Sequence, residues 1–153
     1  MLKLHQIIDK STIKLQMKSS RKKEALRELV SILDNSGVIP VIDNLFNDLV
    51  AREKITSTGI GSGVAIPHKL VPGISRSVIV LGRKSGGINF GSIDGKPVTL
   101  FFLIIGPAEQ STAHLRLLSR LSRLLHNQSF IDELNSADTP EKVIDAIKKQ
   151  EDE

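Results

Sequence analysis

Ser11 to Met17 alternates, with Ile13, Leu15 and Met17 on one side and Lys14 and Gln16 on the other, the period of a half-buried strand. Ala25, Leu26, Leu29, Val30, Ile32 and Leu33 then recur at helical spacing. This predicts a helix capped by Ser19 or Ser20, running to about Asn35 and closed by Ser36-Gly37. A second helix is expected after Pro40, with Leu45, Phe46, Leu49 and Val50 inward, Asp43 and Asp48 early or outward, and Arg52-Glu53-Lys54 at its polar exit. Val64-Ala65-Ile66 is too short for a helix and reads as a buried strand fragment. A loop through Pro72-Gly73 leads to a β-branched run from Ser77 to Arg83, the mark of a central strand. Ser85-Gly86-Gly87 and Asp94-Gly95 read as turns, with an irregular connection between them. Val98 to Ile105 is apolar on both faces and so is expected to be a strand covered on both, stopped by Gly106-Pro107. Three helices follow, over about Gln110 to His126, Ser129 to Asn135 and Pro140 to Lys149, the last with Thr139 as cap and Pro140 in its first turn. Glu151-Asp152-Glu153 is expected to fray. The pattern is that of one α/β domain over residues 1–153, with its core over about 7–149. A mixed, mostly parallel sheet would be flanked by helices on both faces.

Composition narrows the function. The 153 residues include no cysteine, which removes disulfides, thiolate metal sites and a cysteine nucleophile, and fits a cytoplasmic location. The N-terminus lacks the apolar core of a signal peptide, and no apolar run approaches the length of a membrane span. A net charge of +4 invites a nucleic-acid reading, but the basic residues are scattered and there is no Tyr or Trp to stack on bases. Neither nucleic acid nor membrane insertion is expected.

The chemistry concentrates in Thr58-Gly59-Ile60-Gly61-Ser62-Gly63-Val64-Ala65-Ile66-Pro67-His68. Alternate glycines allow close backbone approaches, and Pro67 stiffens the chain and pushes Ile66 to extended geometry. His68 is thus expected to leave the end of a strand on a rigid backbone, a placement that suits chemistry better than packing. The glycines do not complete a dinucleotide fingerprint, since the third would fall at Val64, and no Gly-Lys-Ser/Thr closes a Walker loop. Ser62 lacks the elbow of a hydrolase nucleophile, and the His and carboxylate spacing of a metal site is missing.

This stretch resembles the phosphorylation-site signature of the fructose/mannitol-type (type 2) enzyme IIA domains of the bacterial phosphotransferase system, a group that includes the nitrogen-regulatory enzyme IIA. The likeness extends to Ala51-Arg52-Glu53-Lys54, Ile93-Asp94-Gly95-Lys96-Pro97-Val98 and Thr112-Ala113-His114-Leu115, from about Ile7 to Ile147. The resemblance implies that His68 accepts a phosphoryl group from the histidine-containing phosphocarrier protein. His68 would then pass it to an enzyme IIB or hold it as a signal to regulatory targets. It implies that Arg52 neutralises phosphate charge and that His114 donates a hydrogen bond to the phosphoryl oxygens, with Ser62 and Gly63 in the phosphate environment. No cofactor or metal is implied, because phosphoryl transfer asks chiefly for positioning and charge stabilisation. Two departures stand out. Ser62 replaces the glutamate or asparagine of many members, and Lys69 replaces a glycine after the active histidine. A single domain with Gly-Ser-Gly before the apolar run reads as the regulatory type, and a sugar-specific carrier is the alternative.

Blander readings stand beside these. His68 could be a satisfied structural histidine. His114 falls in line with Leu117, Leu118, Leu121 and Leu125, so it also reads as core packing. Arg52 near a helix end also reads as a complement to the helix dipole. Arg116, Arg120 and Arg123 read as a solvated face, and His5 and His126 have no evident partners.

Overall fold

Val98–Pro107 forms β6, the strand on which the sheet is built. Leu100 to Ile105 are fully buried, as a run apolar on both faces requires. The computed structural model describes residues 2–152. Around β6 lie β1 (Ile8–Lys14), β2 (Gly59–Gly61), β3 (Val64–Ala65), β4 (His68–Val71) and β5 (Val78–Ile88), in the order β1-β5-β6-β3-β2, with β4 also paired to β6. The β1–β5, β3–β6 and β4–β6 pairs are parallel, whereas β5–β6 and β2–β3 are antiparallel. The sheet is therefore mixed and mostly parallel.

Alternation along β6 divides the core between two faces. Leu100, Phe102 and Ile104 pack with Leu117, Leu121, Phe130, Ile131, Val143 and Ile147 from α3 (Ser111–Leu124), α4 (Gln128–Ser136) and α5 (Pro140–Asp152). Phe101, Leu103 and Ile105 pack with Leu26, Leu29, Leu33, Leu45 and Leu49 from α1 (Lys22–Ser36) and α2 (Leu45–Ile55). Helices cover both faces, the α/β arrangement that the pattern implies. Thr139 Oγ1 accepts from Lys142 N–H at 3.2 Å, as the cap reading requires.

Several local expectations need correction. The first strand begins at Ile8, three residues before the alternating run, because Thr12 turns inward and its hydroxyl donates to Ile79 C=O at 2.8 Å. Neither Ser19 nor Ser20 caps α1; Arg21 occupies that position without a side-chain cap. Ser19 instead joins Lys14 and the Lys18 N–H on the carboxylate of Glu28. Burial works to raise the Glu28 carboxyl, but hydrogen bonds from Lys14, Ser19 and the Lys18 and Ser19 amides outweigh it and hold it at about 2. The second helix starts at Leu45, after Asn44 in the left-handed region, and not directly after Pro40. Ser85-Gly86-Gly87 lies within β5, at the register shift between Arg83 and Ile88. Gly106-Pro107 does not stop β6, since both residues pair with β4.

The C-terminal residues are anchored through Asp152, while Glu153, like Met1, lies outside the described residues. The Glu151 side chain is buried and accepts from Leu4 N–H (2.7 Å), His5 N–H (3.0 Å) and His5 Nδ1 (2.8 Å), tying α5 to the start of the chain. Nor is Arg120 simply a solvated residue: its Nη1 donates to Leu2 C=O at 2.9 Å.

Candidate functional site

His68 opens a strand where the sequence suggests that it closes one. β3 and β4 lie in tandem along the same edge of β6, with Val64 opposite Leu100, Ala65 opposite Phe101 and then His68 opposite Ile104. The break between them falls at Ile66-Pro67, where proline has no N–H to give to the ladder. The chain is held there nonetheless. Ile66 N–H donates to Thr58 C=O and Ile104 N–H donates to Pro67 C=O, each at 3.0 Å.

Sharing a register with Ile104 turns the half-buried His68 towards α3. Its Nδ1 lies 2.8 Å from Ile66 C=O. A carbonyl only accepts, so Nδ1 carries the proton and donates. In the neutral ring this leaves the lone pair on Nε2, which sequence alone leaves unassigned.

His114, in the first turn of α3, brings its ring centroid to 5.9 Å from that of His68, with the planes tilted by 46°. It is 4% exposed, and among the described residues neither ring nitrogen has a hydrogen-bond partner. Burial, and secondarily the proximity of His68, lowers its pKa and keeps the imidazole neutral. A buried polar ring without a partner costs free energy, on the order of 1–3 kcal/mol for each unmet group. A core-packing histidine would gain nothing from that cost. Position 114 also depends on Gly106, where an added Cβ would stand 2.7 Å from His114 Nδ1. Leu117 packs inward and Leu115 is exposed beside the pair.

Arg52 lies in the last turn of α2, half-buried, with Nη1 donating to Thr56 C=O at 3.0 Å. Asp48, one turn earlier on the same helix face, reaches Lys69 Nζ of β4 at 3.7 Å, so this face of α2 flanks the strand that carries His68. Among the described residues, no hydrogen bond or ion pair joins Arg52 to either histidine.

Ser62 and Gly63 lie in a turn apart from the histidine pair. Both have positive φ (57° and 79°) and form the two-residue turn between β2 and β3. Gly63 C=O accepts from Thr99 and Leu100 N–H, and Ser62 N–H donates to Asp94 Oδ2 at 3.0 Å. Thr99 is five residues before Ile104, the partner of His68, a separation of roughly 16 Å along an extended strand. Their role is to make the turn.

Sequence reasoning missed Gly106 and the group around Glu53. The Glu53 carboxylate is buried, accepts from Thr58 N–H (3.1 Å) and from the Thr58 hydroxyl, and pairs with Lys22 Nζ at 2.9 Å. Lys22 also donates to Phe90 C=O and lies over the Phe90 ring. Together they fix the entry to the glycine-rich stretch. The five-residue spacing of Glu53 and Thr58 was the available signal.

A family model, that of the phosphoenolpyruvate-dependent sugar phosphotransferase system, EIIA 2, matches residues 6–150, and the chain belongs to this family. Both regulatory and sugar-specific members are among its relatives. It is 33% identical over 150 residues to the fructose-specific EIIABC component of Bacillus subtilis, a match to 98% of this chain and 24% of that protein. It is 30% identical over 149 residues to the nitrogen regulatory protein of Pseudomonas aeruginosa, covering 96% of each. The crystal structure of the nitrogen regulatory protein IIA-Ntr from Neisseria meningitidis superposes with a TM-score of 0.85 at 31% identity, over 94% of this chain and 97% of that one. No helix among the described residues is long and apolar enough to cross a membrane.

Proposed function

We propose that the chain is a phosphocarrier that accepts a phosphoryl group on His68 Nε2 from a histidine-containing phosphocarrier protein and serves as a regulatory enzyme IIA. The observation that carries this reading is the His68 Nδ1 bond to Ile66 C=O, which frees Nε2 beside a buried, unpartnered His114. In the transfer, the Nε2 lone pair forms a bond to phosphorus as the donor's P–N bond breaks, and the donor imidazole leaves with that electron pair. The proton on His68 Nδ1 stays against Ile66 throughout. It spreads positive charge over the phosphorylated ring, which makes the ring a leaving group for the next step. The neutral His114 donates one N–H to a phosphoryl oxygen, and that bond replaces the one it lacks. The first turn of α3, which has no side-chain cap, adds its dipole at the same place. Arg52 supplies cationic charge from the α2 side, through guanidinium nitrogens other than the one held by Thr56.

The likeness to the Neisseria regulatory protein supports the signalling form. A sugar-specific role, with transfer to an enzyme IIB, is the second reading, supported by the Bacillus fructose-specific relative at 33% identity. Incubating the phosphorylated protein with a fructose-type enzyme IIB separates them. Transfer of the label supports the sugar reading. Retention of the label, with partner binding that depends on phosphorylation, supports the regulatory one.

A further inference from the structure

Lys69 adjoins His68, and its ammonium rests 3.7 Å from Asp48 Oδ2 on α2. The pair is long, and its side chains are 36% and 45% exposed, so it is weakly held. The two neighbours face opposite ways. His68 shares the face of Ile104 towards α3, and Lys69 shares the face of Ile105 towards α2. They are nevertheless joined across an open edge. Among the described residues β4 pairs only with β6, and β2 flanks β3 at the other end of that tandem. Beyond β4, a groove of about 450 Å3 is lined by Pro40 to Asp43, Asp48 and Lys69 to Ile74.

A phosphoryl dianion on His68 changes the local electrostatics. His114 is neutral, and one Arg52 nitrogen is tied to Thr56. The cation closest to the phosphoryl group along the chain is therefore Lys69, held by a single carboxylate in an exposed pair. We propose that Lys69 joins Arg52 in compensating the charge of the phosphorylated state, and that Asp48 holds it in reserve until the dianion draws it over the edge of β4. This inference rests on the phosphocarrier reading. It adds that phosphorylation unpairs Asp48 and leaves a free carboxylate, near Asp43, on the rim of the groove.

The test measures equilibrium loading of phosphoryl from the donor protein, a quantity independent of how the donor docks. Lys69→Met, Lys69→Arg, Asp48→Asn and the Lys69→Met/Asp48→Asn pair are compared at low and high salt. Lys69→Met is expected to lower the loading constant about fivefold to tenfold at low salt, and Lys69→Arg to keep most of it. Asp48→Asn should raise it about twofold or more, and should have no effect once Lys69 is methionine. Added salt should shrink all these differences. The Asp48 carboxyl carbon should also shift on phosphorylation of the wild type, as seen by NMR. Wild-type loading in Lys69→Met, or the same gain from Asp48→Asn with or without Lys69, would overturn the inference and leave the phosphocarrier reading intact. A wild type that takes no label from an active donor would overturn both.

Discussion

Replacing Gly106 by alanine tests whether His114 is placed for chemistry, without touching either histidine. The new Cβ would meet His114 Nδ1 at 2.7 Å and Ser77 Oγ at 3.4 Å, where ordinary contact begins at 3.4 Å. Something must yield by 0.7 Å, the difference between the two distances. The β6 backbone is fixed at this point by its pairing of Gly106 with Leu70, so the imidazole is the part that moves. A displacement approaching 1 Å in a group that meets the transferring phosphoryl is expected to slow transfer by about tenfold to a hundredfold. Overpacking should lower stability by about 1–3 kcal/mol. The assay is the single-turnover rate of phosphorylation by the donor protein, with thermal unfolding alongside. In a His114→Ala background the ring is gone and the same Cβ has space, so Gly106→Ala should then cause no further loss of rate. Wild-type transfer in Gly106→Ala, or equal losses in the two backgrounds, would refute the argument that Gly106 acts through His114.

With Nδ1 donating to Ile66 C=O, the phosphoryl group is expected on Nε2, which long-range phosphorus–nitrogen couplings in the labelled protein read directly; an Nδ1 adduct would refute this. Glu53→Ala leaves Lys22 and the Thr58 amide and hydroxyl without their shared buried partner, and should destabilise the fold by about 3–5 kcal/mol in denaturant titration. Glu28 is depressed to about 2 in the folded protein from an ordinary 4.5. Its stabilisation is therefore full above pH 4.5 and is lost as pH falls through 2. Across that window the unfolding midpoint of wild type should fall more steeply than that of Glu28→Gln.

The doubly buried β6 was legible because eight apolar or near-apolar residues in succession leave few other placements. The covering helices were legible from their period. The resemblance implied that His114 lies beside His68, and their ring centroids are 5.9 Å apart. What could not be read depends on distance along the chain. Glu151 is anchored by residues 146 and 147 positions away, a contact that no local pattern announces. β4 is four residues long and runs into Pro72-Gly73, so it looked like loop until β6 supplied its partner. Gly86-Gly87 has turn composition, but β6 holds the chain straight past it as an irregularity in β5. Ser62 and Gly63 show the converse relation between sequence and space. They are close to His68 in sequence, but the intervening chain is extended, so proximity in the motif becomes separation in space. Gly106, read as a strand terminator, is required instead by the ring packed against it.

The central claim is that His68 carries the phosphoryl group. Intact mass spectrometry tests it most directly, after incubation with enzyme I, the histidine-containing phosphocarrier protein and phosphoenolpyruvate. Wild type and His68→Ala are compared before and after brief acid treatment. The account expects a single acid-labile phosphoryl gain in wild type and none in a folded His68→Ala. A gain retained in His68→Ala, or no gain in wild type with an active donor, would contradict it.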